Sequence, residues 1–419
     1  MKNINFNLLK LCVFVSLCLS IFYSNPGFSS EVQLSISKES AKKVNLFIEA
    51  FAVEGDKPDT ELEKAIYNDL SRHLKYSGHF FIQKLVSKDT ELVIKGSYKT
   101  KKKKLVLITK IYSPSANQEI FAKKYQGLLS QYGLSIKTIA NDIMEKITGE
   151  KSLVFSKIAY TSDKARTKQI YVIDYDGENR EQITFGNYNN IEPSWFPDSA
   201  KIAYTSYKSG YPGIFTCNLK NHRKEALALV RYPGVNAASA VSNDGKNIAL
   251  ILSKDGNPEL YKVSLPDLLL KRLTASRAVE SSPTWSYDNQ KIAFVSDRTG
   301  TPQIYIHYLA DNKTIRLTFE GSYNTDPSWS PVSNKIAYAS MKNGNFQIYV
   351  VNLDVYKVSQ LTYEPQHHEN PSWAPDGRHI VCSVTKNFRS YLEVMDVVTG
   401  EKYRLTSLED NALEPAWSR

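Results

Sequence analysis

Residues 326–340 read DPSWSPVSNKIAYAS, and near-copies flank them on both sides. ENPSWAPDGRHIVCS covers 369–383, SSPTWSYDNQKIAFVS covers 281–296 and IEPSWFPDSAKIAYTS covers 191–206. A worn copy, ASAVSNDGKNIALILS, covers 238–253, and LEPAWSR closes the sequence. Each copy reads as a short strand, a tight turn and a longer strand. The first Ile of each longer strand falls at 158, 202, 248, 292, 336 and 380, so the period is 44 residues, once 46. Aromatic residues recur thirteen positions after it, from Tyr171 to Tyr349, and weaken to Glu393. Twenty-five positions after it stand Ile183, Leu227, Leu273, Leu317, Leu361 and Leu405, mostly followed by Thr. Four strands per unit at this period predict a β-propeller.

The strand KIAYAS is apolar on both faces, as a blade covered by two neighbours requires. Ala159, Ala203, Ala249, Ala293 and Ala337 hold one small position, suited to close packing between blades. Trp195, Trp285, Trp329 and Trp373 read as packing residues between blades. The first unit lacks a Pro-Ser-Trp strand, and Pro415-Ala416-Trp417 is followed by no KIAY strand. The last strand is therefore expected to complete the first blade, which gives six blades and no free edge.

Ahead of the repeats, residues 31–150 read as a small α/β domain. Strands are expected over 43–51, 80–85, 91–99, 103–112 and 119–125, with a helix after Pro58 capped by Thr60 and a second helix over 135–147. The lysine run KTKKKK, 99–104, reads as a charged hairpin tip, with a patch for nucleic acid or membrane as the alternative. Lys2 and Lys10, the apolar run 11–23 and the small residues up to Ser30 have the layout of a secretory signal peptide, cleaved after Ser29 or Ser30. The boundaries expected are thus 1–30 signal peptide, 31–150 α/β domain and 151–419 propeller, in an exported protein. The formal charge is +10, and export argues against nucleic acid as its partner. Cys217 and Cys382 fall on separated blades, so no disulfide is expected between them.

No catalytic constellation is present. G-x-S-x-G, H-E-x-x-H and a phosphate loop are all absent, and no cofactor or metal is expected. His367-His368-Glu369 reads as a plain loop, and Asp174-Tyr175-Asp176-Gly177 as a turn. The loops that lead into each Pro-Ser-Trp strand differ in sequence while their strands match. They are expected to emerge on one face, around the channel, and to carry recognition. Their polar residues Asn190, Glu192, Asn236, Glu280, Asn324, Asp326, His368, Asn370, Asn411 and Glu414 are the candidate partner-binding residues. A propeller enzyme, or a binder of carbohydrate or another small ligand in the channel, is the alternative reading.

The arrangement of signal peptide, EVQLSIS (31–37), an α/β domain ending in IANDIMEKITG (139–149), immediate entry into KIAY repeats and the terminal PAWS resembles the TolB family of periplasmic Tol-Pal propeller proteins. The resemblance implies a non-catalytic, monomeric scaffold in the periplasm. It implies that TolA is bound through Glu31, Val32, Gln33, Leu34, Ser35, Ile36 and Ser37. It implies that the lipoprotein Pal is bound on the propeller face, with other outer-membrane proteins as further partners, in support of outer-membrane integrity and envelope constriction at division. Two family contact positions fall on Val235, where the family has His, and on Ser281.

Overall fold

The repeat folds as its periodicity demands. In the computed structural model, which describes residues 42–55, 58–220 and 227–419, six four-stranded antiparallel sheets follow one another along the chain. The expected signal peptide, 1–30, and the segment 31–37 lie outside the described residues. Within each sheet the Pro-Ser-Trp strand is innermost and the KIAY strand second. In the fifth blade, for example, Asn324–Trp329 pairs with Lys335–Lys342, then Asn345–Asn352 and Lys357–Gln360. The inner strands touch one another in sequence round a closed ring.

The first blade is completed from the far end of the sequence. Ala412–Trp417 pairs antiparallel with Lys157–Ala165, setting Ala412 opposite Ser162 and Trp417 opposite Ile158. Ser418 adds a clasp, its Oγ accepting from Lys157 N at 2.8 Å.

Side chains explain why successive blades seat on each other. Ala159, Ala203, Ala249, Ala293 and Ala337 are fully buried, and one apolar cluster joins Ala159, Ile170 and Val172 of blade one to Trp195, Ile202 and Phe215 of blade two. The recurrent indoles also bond across the seams. Trp195 Nε1 donates to Ala416 O at 2.9 Å, Trp285 to Ala240 O at 2.9 Å and Trp373 to Ser328 O at 3.1 Å. Trp329 keeps the packing without that bond. The Thr of the Leu-Thr motif has its own task. Thr184, Thr274, Thr318, Thr362 and Thr406 accept the backbone N–H of Ile170, Leu260, Ile304, Ile348 and Leu392 through Oγ1, which ties the outer strand's end to the third strand.

Before the propeller stands a sheet in the order β3-β1-β4-β5-β6, formed by β1 (Val44–Ile48), β3 (Phe80–Gln83), β4 (Leu92–Lys101), β5 (Lys104–Ser113) and β6 (Gln118–Leu128); a short β2 (Ala52–Val53) also pairs with β4. Helices Thr60–Tyr76 and Tyr132–Thr148 cover one face. The first helix is capped by Asp59, whose side chain accepts from Leu62 N at 3.1 Å, and not by Thr60. Asp59 is extended and can reach back to the free amides, whereas Thr60 is already helical. The expected strand 43–51 stops at Ile48, and the chain re-pairs with β4 only at Ala52.

The described residues belong to one compact unit. One apolar cluster joins Ile66, Leu70, Leu74, Ile139 and Ile143 of the helices to Tyr175, Ala374, Val394 and Trp417 of the propeller. The turn Asp174–Gly177 is part of this junction. Tyr175 OH meets His73 Nδ1 at 2.6 Å, Lys137 Nζ reaches Asp174 at 2.6 Å and Arg72 reaches Asp176 at 3.4 Å. Burial brings the His73 pKa down to about 4, against the raising effect of Asp176. Tyr76 stacks on Tyr403 with ring centroids 4.0 Å apart. Cys217 and Cys382 are both buried, and no disulfide joins them.

Candidate functional site

An inner strand enters its blade at one end of the ring, and the loops before it gather there. The α/β region touches the other end, at the turns around 174–178, 376–378 and 396–403. The mouth formed by the entry loops is therefore the face that the α/β region leaves open. Each entry loop bonds to the neighbouring turn between second and third strands. Examples are Tyr207 N to Asn189 O at 3.0 Å, Ser253 N to Val235 O at 3.1 Å and Asp297 N to Val279 O at 3.4 Å.

Every inner strand breaks register once, between Ile191 and Ser194, Ala237 and Ala240, Ser281 and Thr284, Thr325 and Ser328, Glu369 and Ser372, and Leu413 and Ala416. The residue at the break has positive φ in all six, between 48° and 55°: Glu192, Ala238, Ser282, Asp326, Asn370 and Glu414. Pro follows five of them, at a place where no ladder N–H is needed. These bulges link the inner strands round the channel. Glu192 Oε2 accepts from Ala238 N at 2.8 Å, Glu414 Oε2 from Glu192 N at 3.0 Å, and the Asp326 carboxylate from Asn370 N.

The ring is electrostatically loaded. Burial pushes the Glu192 carboxyl up, and the charge of Glu414 adds to it. Burial brings the Asp326 pKa up from 3.8 to about 6. The Glu369 charge raises it further, while hydrogen bonds from Thr325, Ser282 and Asn370 N–H oppose the rise. Below pH 3.8 Asp326 is protonated both folded and unfolded. Between 3.8 and about 6 the folded chain holds a proton that the unfolded chain has released, so stability falls as pH rises; above about 6 the loss is constant. Asp326→Asn keeps an acceptor for Asn370 N and Ser282 Oγ. It is expected to add up to about 3 kcal/mol near pH 7.5 and almost nothing at pH 4, read by urea unfolding at both pH values. An equal effect at both would refute the ionisation argument.

The candidate residues read from the sequence separate into three groups. Asn190, Asn236, Glu280, Asn324 and His368 are almost wholly buried and hold their own loops instead of facing a partner. Asn190 and Asn324 donate to Gln169 and Gln303 at 2.8 Å, Asn236 closes on Tyr232 O at 2.7 Å, and Glu280 accepts from Arg298 at 2.7 Å. His368 is a strand residue, within His367–Trp373 and not in a loop; burial brings its pKa to about 4, so it is neutral. Glu192, Asp326, Asn370 and Glu414 form the bulge ring. Asn411 holds the turn to the next strand, donating to Asp163 at 2.7 Å, while Val235 (38% exposed) and the half-buried Ser281 stand at the mouth of blades three and four. Among the described residues, no group of three or more His, Cys, Asp or Glu is placed to hold a metal ion.

Sequence reading missed two features of this face. Gln169, Gln303 and Gln347 bind the entry loops through backbone carbonyls, and their signal was the recurrent Gln-Ile-Tyr. Phe185, Phe319 and Tyr363 directly follow the Ile-Thr or Leu-Thr pairs and are 64%, 75% and 60% exposed. An aromatic residue left in water at a repeated position marks a contact surface better than a polar one does.

The TolB beta propeller domain family matches residues 144–419. The Tol-Pal system protein TolB of Desulfotalea psychrophila is 30% identical over 280 residues, covering 63% of this chain and 64% of that protein. The TolB homolog of Chlorobium luteolum is 32% identical over 196 residues, covering 47% and 44%. The chain thus spans less than two thirds of the length of these relatives. Among solved structures, TolB from Acinetobacter baumannii superposes with a TM-score of 0.79 at 24% identity, over 90% of this chain and 97% of that one. A chain of a nidogen–laminin complex gives 0.53 at 10% identity, over 63% and 98%. Both structural likenesses concern the fold.

Proposed function

The chain belongs to the TolB beta propeller family, and from that premise we propose that it is a non-catalytic protein-binding scaffold of a Tol-Pal cell-envelope system. In this reading the signal peptide directs it to the periplasm. The open propeller face holds a Pal-type lipoprotein, the segment 31–37 engages TolA by strand addition, and the link supports outer-membrane integrity and constriction at division. The observation that carries the reading is the mouth itself. Six unlike loops meet round a polar channel, with exposed aromatic residues beside them, on the face left free by the α/β region.

The test is calorimetric titration of the purified protein with Pal and with TolA. Val235→Arg and Ser281→Arg place a bulky charge at the mouth and are expected to weaken Pal binding at least about thirtyfold, the size of a hot-spot loss. The melting temperature should stay unchanged in Val235→Arg, whose side chain is exposed on a loop, which makes this variant the cleaner of the two; Ser281 is a half-buried strand residue. Deleting 31–37 is expected to abolish TolA binding and to spare Pal binding. A protein that binds neither partner but is stabilised by a sugar or another small molecule would favour the alternative, a ligand-binding or enzymatic propeller.

A further inference from the structure

The lysine run 99–104 is more than a hairpin tip. The register of β4, β5 and β6 sets Lys95 opposite Lys110, Lys101 opposite Lys104 and Lys124 opposite Ile108. Strand alternation puts these residues and Lys99 on one face. The alternate residues Ile94, Tyr98, Leu105, Leu107, Ile111 and Tyr125 pack under the helices. All six lysines are exposed. The helices that touch the propeller cover the other side of the sheet, so the lysine face looks outward.

This placement is costly for the fold alone. Like charges directly opposite each other on paired strands are destabilising, and two such pairs are kept here. Lysines on a sheet often guard an edge strand against pairing. That account does not apply, because β4 and β5 are interior strands in the order β3-β1-β4-β5-β6. Carboxylates relieve the face only in part. Lys95 meets Glu49 at 3.2 Å and Lys110 meets Glu119 at 2.9 Å, both exposed pairs. Among the described residues, Lys99, Lys101, Lys104 and Lys124 form no ion pair, and the turn adds Lys102 and Lys103.

We propose that this lysine face docks on an anionic phospholipid surface. The face is an open sheet about 20 Å long from the Lys95–Lys110 pair to the Lys101–Lys104 pair. It offers point charges on flexible stems in place of the planar forks that read a shaped acidic partner. Half-buried Val106 and Ile108 lie between the stems. Such a surface matches a plane of diffuse negative charge, where each lysine near the headgroups strengthens binding about fivefold. The proposal does not depend on the partners assigned above.

The test is flotation of the purified protein with vesicles of phosphatidylcholine alone, or with about a third phosphatidylglycerol, at low and high salt. Binding is expected only to the anionic vesicles, and is lost at high salt. Lys99→Glu, Lys101→Glu, Lys104→Glu and Lys124→Glu together should lower the partition coefficient at least a hundredfold. The four Lys→Gln changes should lower it to a lesser extent, and the melting temperature should hold in both variants. Equal binding to neutral vesicles, no binding to anionic ones at low salt, or undiminished binding by the Glu variant overturns the proposal. Retention by soluble polyglutamate without vesicle binding overturns it in favour of an acidic macromolecule.

Discussion

A chain truncated after Asn411 is expected to lose cooperative folding. The missing strand, Ala412–Trp417, is the inner strand of blade one, and without it the second strand, Lys157–Ala165, presents an open ladder. Three blades feel the loss. Trp195 loses its acceptor at Ala416 O, Ser372 Oγ loses the Trp417 N–H at 3.0 Å, and Thr161 and Glu192 N lose the Glu414 carboxylate. The single change Trp417→Ala removes a buried indole whose Nε1 donates to Ser156 Oγ at 2.9 Å, and is expected to cost about 3–5 kcal/mol. Thermal unfolding followed by circular dichroism, together with gel filtration, checks both. A truncated chain that stays monomeric and melts sharply within a few degrees of the parent would show that the ring does not need its last strand.

The second large effect is expected at the junction between the α/β region and the propeller. Arg378 Nη2 donates to Gly78 O at 2.9 Å across the boundary, while its Nε and Nη2 grip Asp396 at 2.8–3.1 Å. Gly78 makes this approach possible. Its φ is +76°, and a Cβ there would fall 2.3 Å from Asp396 Oδ2 and 2.8 Å from Arg378 Nη2. Burial pushes the Asp396 carboxyl up, but the Arg378 hydrogen bonds and charge, with that of His379, more than offset it and hold its pKa below the ordinary value. Arg378→Ala strands a buried carboxylate and is expected to cost about 3–5 kcal/mol. Adding Asp396→Asn to Arg378→Ala removes the stranded charge, and the double variant should recover part of that loss. The depressed Asp396 pKa stabilises the fold at neutral pH, and that share is lost as pH falls through the carboxylate range. Arg378→Ala should therefore flatten the acid side of the stability curve. Urea unfolding between pH 3 and 7.5 decides it: a variant within 1 kcal/mol of the parent throughout would remove Arg378 from the junction.

The repeat was legible because a blade asks the same thing of the same position every time. Small Ala lets neighbours approach, Trp fills the seam, and Thr after Leu ties down the outer strand. Each demand is met by one residue type at one spacing, so the period, the six blades and the closing role of Trp417 could all be read without coordinates. The candidate site was legible only in part. The entry loops were found because they vary where their strands do not, but polarity alone could not separate Asn190 or Glu280, buried behind their own loops, from Glu192 or Asp326 on the bulge ring. The Pro after each bulge was visible, yet its meaning depends on what the partner strand does. The lysine face was seen only as a run of charge, since its outlying members Lys95, Lys110 and Lys124 join it through strand register.

The sequence by itself determined the propeller, its blade count, the sheet-and-helix region before it and the end of the ring that gathers the variable loops. These follow from local patterning, repeated often enough to be unmistakable. The tertiary structure alone decided which side chains at that end are buried, how six bulges link the inner strands into a ring of shared hydrogen bonds, and how Arg378 and Tyr175 lock the α/β region to the opposite face. The physical reason is that burial and hydrogen bonding depend on neighbours distant in sequence: Glu192 N donates to the carboxylate of Glu414, 222 residues away, at 3.0 Å.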